Sequence, residues 1–141
     1  MADIGLGVRT YLAAQAAVSS LVGTRIYPDA LPQGATRPAL VFTVISSVGE
    51  HHLTAAAGIA RAIVQIDCYA DTRLAANALS EAVRGEMQGY RGAMGSEYVQ
   101  CCHLQNRIYD YDTPEHGSDQ GLYRVIMEWL IWHTESVPTF S

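Results

Sequence analysis

The residues best suited to chemistry are Cys101-Cys102-His103, Glu50-His51-His52 and the acidic run of Asp110, Asp112, Glu115 and Asp119. Neighbouring residues in a strand point to opposite faces, so Cys101 and Cys102 cannot share a tetrahedral metal, and no CxxC spacing lies nearby. Cys101 and His103 can share a face, as a nucleophile and its base do. No oxyanion loop or helix N-terminus is evident beside them, and they read as structural residues. Glu50, His51 and His52 sit in a stretch of small residues without a third and fourth metal ligand at fixed spacing, so they read as a solvated or interface loop. The acidic run surrounds Pro114 and Gly117 but lacks the spacing and the bidentate glutamate of a calcium loop. It reads as a solvated hairpin tip or as a docking surface for an arginine-bearing partner. The sequence contains no P-loop, GxGxxG, GxSxG or HExxH, and no cofactor or metal site is expected.

The segment that must organise these residues is Ala60–Ala70. As a strand it points Ala62, Val64, Ile66 and Cys68 to one side, and Arg61, Ile63, Gln65, Asp67 and Tyr69 to the other. One face can pack on a core while the other carries charge. Gly121–His133 repeats the pattern, with Tyr123, Val125, Met127, Trp129 and Ile131 on one face and Arg124, Glu128 and Trp132 on the other. Trp129 belongs with the core; Trp132 is a sheet-end anchor or an interface aromatic. Ala39–Ser47 is apolar on both faces and reads as a central strand, and Glu97–Tyr109 has strand residues throughout.

Helical spacing covers Asp3–Val22, read as one helix stopped by Gly23. A second helix spans Thr72–Met87, with Thr72 as N-cap and Leu74, Ala75, Ala78, Leu79, Ala82 and Val83 as its apolar face. Arg25–Pro28 is a short extended segment, Ser46–Gly58 a long connection, Gln88–Ser96 a link, and Tyr111–Gln120 a polar turn. The expected fold is α+β: a four-stranded antiparallel sheet of two hairpins, with two helices packed on one face, in the order α-β-β-α-β-β. Residues 1–141 read as a single domain, with 134–141 a tail that is frayed or docked on a neighbour.

Composition narrows the function. The charged fraction is 16%, against about 25% in ordinary soluble domains, and the nine basic residues are all arginine. A chain short of charge and supplied with arginine suits a subunit that buries surface against copies of itself; a GC-rich genome would also favour arginine. A net charge of −5 without an arginine cluster argues against gripping nucleic acid. Three cysteines without paired spacing give no disulfide framework. No signal peptide or membrane span is expected.

Several short phrases, taken in order, carry a resemblance. They are Arg25-Ile26-Tyr27-Pro28 with the Pro32-Gln33-Gly34 and Pro38 connection; Arg61-Ala62 with Val64-Gln65-Ile66-Asp67-Cys68-Tyr69; the Ala-rich helix ending near Val83-Arg84; Gly121-Leu122-Tyr123-Arg124; and Trp132-His133. From Ala13 to His133 the chain resembles the tail-completion family of long-tailed bacteriophages, prophages and gene-transfer particles: tail terminators and tail-to-head joining proteins. The paired cysteines and His51-His52 are not part of that pattern. The resemblance implies a virion protein without catalysis, in a ring of usually six copies at the head-proximal end of the tail. The ring ends tail-tube polymerisation and meets the head–tail connector, and DNA passes through its lumen without specific binding.

On this reading the subunit and partner contacts are Arg61, Asp67, Arg124, Glu128 and Trp132 on the mixed sheet face, with Glu50, His51, His52, Asp112 and Glu115 in the loops. An acidic loop facing the lumen would repel passing DNA. The competing readings are a head-side adaptor or stopper of the connector, a non-viral α+β binding module, and a small Cys101/His103 enzyme.

Overall fold

The computed structural model describes residues 3–51, 56–112 and 121–134. His52, Glu115, Asp119 and the 135–141 tail lie outside the described residues, as does the Asp112 side chain. In chain order the elements are α1 (Ile4–Ala13), α2 (Ala16–Val22), β1 (Ile26–Pro28), β2 (Ala39–His51), β3 (Ala56–Ala70), α3 (Arg73–Met87), β4 (Gly92–Met94), β5 (Glu97–Asp112) and β6 (Leu122–Thr134).

The sheet corrects the expected four antiparallel strands. It has six, in the order β1-β2-β3-β6-β5-β4, and curls as a half-barrel. The two expected hairpins are its centre: β2–β3 and β5–β6 are antiparallel, and β3 joins β6 antiparallel from Ile59↔Thr134 to Ala70↔Tyr123. The additions are three-residue edge strands. β1 runs parallel to β2, from Ile26↔Leu40 to Pro28↔Phe42, which makes the sheet mixed. β4 forms inside the expected Gln88–Ser96 link by pairing with Glu97–Val99. Three residues are too few to show a period, so tertiary pairing alone defines these strands.

The expected single helix over Asp3–Val22 is also corrected: it breaks at Ala14–Gln15, giving three helices among the described residues. Ile4, Val8 and Leu12 recur every four residues, but the next buried residues are Val18 and Val22. Eighteen residues make about five whole turns, so an unbroken helix would also hold Val22 on the Ile4 face with Val18 close beside it, and the period gives no sign of the break. The chain leaves helical conformation at Gln15, whose side chain donates to the Tyr11 carbonyl at 3.3 Å, alongside Ala14 N at 3.2 Å. Asp3 caps α1 through Gly5 N at 2.8 Å, and Thr72 caps α3 through Ala75 N at 3.1 Å. On α3 the buried face is Ala76, Leu79, Ser80, Val83 and Met87. Leu74, expected inside, is 82% exposed.

The helices cover one sheet face, where Leu40, Phe42, Val64, Ile66, Met127, Trp129 and Ile131 meet Val8, Leu12, Leu79 and Val83 in a common core. Gly7 lets α1 approach β4, because a Cβ there would lie 2.5 Å from the Met94 carbonyl oxygen. Tyr11 ties α1 to α3 by donating to the Glu86 carbonyl at 2.7 Å, and burial pushes its phenol up to about 12. The expected Ser46–Gly58 connection shortens, since β2 runs to His51 and β3 starts at Ala56. Register shifts lie between Val44 and Ser46 and between Gly49 and His51. The first adds Ile45 to β2 and reverses the alternation by which strands are read; the second sets more residues of β3 against β2.

Candidate functional site

Register across β2, β3, β6 and β5 assembles the opposite sheet face in rows. Val48, Arg61, Trp132 and Cys101 lie side by side. Below them run Ser46–Ile63–Leu130–His103, Thr43–Gln65–Glu128–Asn106, Val41–Asp67–Ile126–Ile108 and Ala39–Tyr69–Arg124–Asp110. Charged, aromatic and aliphatic residues are therefore interleaved on the face away from the helices, which is exposed at Val48 and Arg61 and buried at Ala39, Val41 and Asp67. Five of the expected contact residues, Arg61, Asp67, Arg124, Glu128 and Trp132, share this face. The others separate: Glu50 and His51 sit at the β2–β3 end, where β6 finishes, and Asp112 ends β5 at the opposite end of the sheet.

The five differ in what they touch. The exposed Arg61 lays its guanidinium 5.5 Å from the Trp132 ring centroid, a cation–π pair at one end of the face. Asp67 is buried within the subunit. Its Oδ2 accepts from Arg124 Nη2 at 3.0 Å, and its Oδ1 and Oδ2 accept from Gln65 Nε2 at 3.0 and 3.3 Å. Burial raises the Asp67 carboxyl above its ordinary pKa, and the Arg124 charge and the Gln65 and Arg124 hydrogen bonds hold back part of that rise. Arg124 also lies 5.6 Å from the Tyr69 ring centroid. Arg124 and Asp67 therefore fasten β6 to β3, whereas Arg61, Trp132 and the half-buried Glu128 are free to meet a partner. Alternation places Gln65 and Tyr69 on this face, whereas the approach of Arg124 to Tyr69 depends on which β6 residue stands opposite.

Cys101 and His103 do come together, with Sγ 2.6 Å from Nε2 on the same face. The exposed imidazole can accept the thiol proton. Two cavities of about 250 and 440 Å³ flank α3 and β5, and neither is lined by Cys101 or His103. Cys68 and Cys102 are buried on the core side; burial pushes both thiols up, Cys102 to about 12, so they stay protonated and inert. His133 Nδ1 stands 3.4 Å from Glu97 Oε2, both buried on the helix side, a pair that nothing in the local sequence announces. Among the described residues no three His, Cys, Asp or Glu side chains could hold a metal ion.

The same fold occurs in a chain of a solved structure, the virion of native gene transfer agent (GTA) particle. The two share 18% identity over 90% of this chain and 91% of that one, with a TM-score of 0.62. No curated protein matches the chain by sequence. Residues 7–134, nearly all of the described fold, match the family described as Tail completion protein gp17. The chain belongs to the tail completion protein gp17 family and is a phage tail structural protein.

Proposed function

We propose that the protein forms a closed ring of about six copies at the head-proximal end of the tail, ends tail-tube polymerisation there and joins the tail to the head–tail connector. The observation that carries this reading is the sheet face away from the helices in a tail completion protein. The exposed Arg61 lies on it with the half-buried Trp132, Leu130, Glu128 and Ile126, a mixture of aromatic, charged and aliphatic groups suited to an interface. On this reading the end of the sheet that carries Glu50 and His51 and the end where β5 finishes at Asp112 meet axial neighbours, the tail tube on one side and the connector on the other. DNA passes through the lumen unbound, in keeping with a net charge of −5.

Particles made without the protein test the role. Loss of a terminator gives overlong tails, whereas loss of a head-side adaptor gives tails of normal length that remain unattached to heads. Arg61→Glu tests the face: the side chain is exposed, so the subunit keeps its fold while assembly fails. Arg124→Glu is unsuitable, because it would set a second carboxylate against the buried Asp67.

A further inference from the structure

We propose that successive copies in this ring are joined strand to strand, the outer edge of β2 in one copy pairing antiparallel with the outer edge of β5 in the next. The inference rests on the ring reading and names the surface that closes it.

Both outer edges are long and mostly uncovered. β1 covers β2 only at Leu40–Phe42, and β4 covers β5 only at Glu97–Val99. Past that, Gly89 N donates to the Cys102 carbonyl and Leu104 N to the Gln88 side chain. Residues 43–51 of β2 and 105–112 of β5 then have no outer strand partner among the described residues. On each strand the free stretch adjoins a register shift, Val44/Ser46 on β2 and Leu104/Asn106 on β5. Isolated subunits usually keep such edges short, charged or covered. Here the β2 stretch carries one charge, Glu50, and exposes Ile45 (54%) and Val48 (46%), while on β5 Ile108 (45% exposed) stands among Arg107, Asp110 and Asp112.

The two edges also match in direction and parity. β2 and β5 run antiparallel across the sheet, as the pairings β2–β3, β3–β6 and β6–β5 require, so side-by-side copies present an antiparallel pair. On β2, Leu40 N and the Phe42 carbonyl point outward, and both side chains lie on the helix face. On β5 the outward groups belong to Cys102 and Leu104, on that same face. Carried past the shifts, the outward residues are Ser47 and Gly49 on β2, and Arg107 and Tyr109 on β5. Opposed residues of an antiparallel pair share a face, so a sheet continued through these edges keeps the helices of every copy on one side. Mismatched parity would have forced alternate copies to flip. Setting Ser47 opposite Tyr109 also sets Val48 against Ile108, an apolar cross-strand pair.

The free stretches lie at opposite ends of the sheet, so neighbours must slide. Val48 is level with Arg61 and Ile108 with Asp67, six residues along β3, or about 20 Å at ~3.3 Å per residue. Four strands, β2, β3, β6 and β5, separate successive junctions, about 19 Å at ~4.8 Å per strand. That slide tilts the strands by about 45° from the ring axis, within the range in which sheets close on themselves.

The test is a disulfide between copies. A chain with Val48→Cys and Ile108→Cys, and with Cys101→Ser to remove the half-buried thiol, should give on oxidation a ladder of covalent oligomers ending at the ring size. Val48→Cys with Asp110→Cys, two residues out of register, should cross-link at least tenfold less. Ser47→Pro removes one outward N–H; it should leave the subunit's circular dichroism unchanged and weaken association at least tenfold. Wild-type rings that give neither the ladder nor sensitivity to Ser47→Pro would overturn the edge pairing and leave the ring standing. A wild type that stays monomeric alone and on purified tails, with no ladder, would overturn both. Cross-linked open filaments would uphold the edge and overturn closure.

Discussion

Removing the charge of Arg124 should damage the fold more than its position on a sheet surface suggests. In Arg124→Gln, Asp67 keeps the hydrogen bonds from Gln65 but loses the cation it pairs with, while its side chain is 6% exposed. Breaking a fully buried pair from one side costs about 3–5 kcal/mol. The Arg124 side chain is 26% exposed, so solvent moderates the loss and about 2–4 kcal/mol is expected at pH 7. At roughly 4 °C per kcal/mol that lowers Tm by about 8–16 °C.

The penalty should also depend on pH. The Asp67 carboxyl is already raised in the fold, so its contribution is fully present below the unfolded carboxylate pKa and is lost as pH rises through the folded one. Arg124→Gln removes a cation that holds this pKa down, so the carboxyl rises further and the variant loses more as pH increases. Urea unfolding of wild type and variant at about pH 4 and pH 7 reads both effects. Asp67→Asn should flatten the pH dependence, and in a double-mutant cycle the two changes should be non-additive. A penalty below about 0.5 kcal/mol, or one equal at the two pH values, would refute the claim that Arg124 neutralises a buried carboxylate.

Two glycine substitutions should act in opposite directions. Gly7→Ala drives a Cβ to 2.5 Å from the Met94 carbonyl oxygen and should cost about 1–3 kcal/mol despite its better helix propensity. Gly85→Ala, on α3 with nothing within 4 Å, should stabilise by about 0.5–1 kcal/mol. Thermal melts of the two variants would contradict the α1–β4 packing if Gly7→Ala proved neutral or stabilising. Thr72→Ala should cost about 1 kcal/mol, since its hydroxyl holds Ala75 N at the start of α3; an unchanged Tm would remove that role.

Strand alternation made much of the fold legible. Ala62, Val64, Ile66 and Cys68 face the core as the alternation requires, as do Val125, Met127, Trp129 and Ile131. What escaped has a physical cause in each case. β1 was legible only as the extended segment Arg25–Pro28 and β4 not at all, since three residues carry no period, and the break at Gln15 involves neither proline nor glycine. The extra residue at Ile45 reverses the alternation in the rest of β2 and hides it. The sharing of one face by Arg61 and Trp132 was partly visible, because each strand announces its own faces. Their contact was not, nor was that of Arg124 with Asp67, since cross-strand register depends on how the hairpins join. Cys101 and His103 needed no such knowledge: two residues apart in one strand, they meet as their spacing implies.

The most direct test of the central claim is the native mass of the purified protein, alone and mixed with assembled tail tubes, with negative-stain images of the same samples. The account predicts a closed ring of about six chains, free or capping one end of each tube. A chain that remains monomeric in both samples and leaves tube ends bare would contradict it.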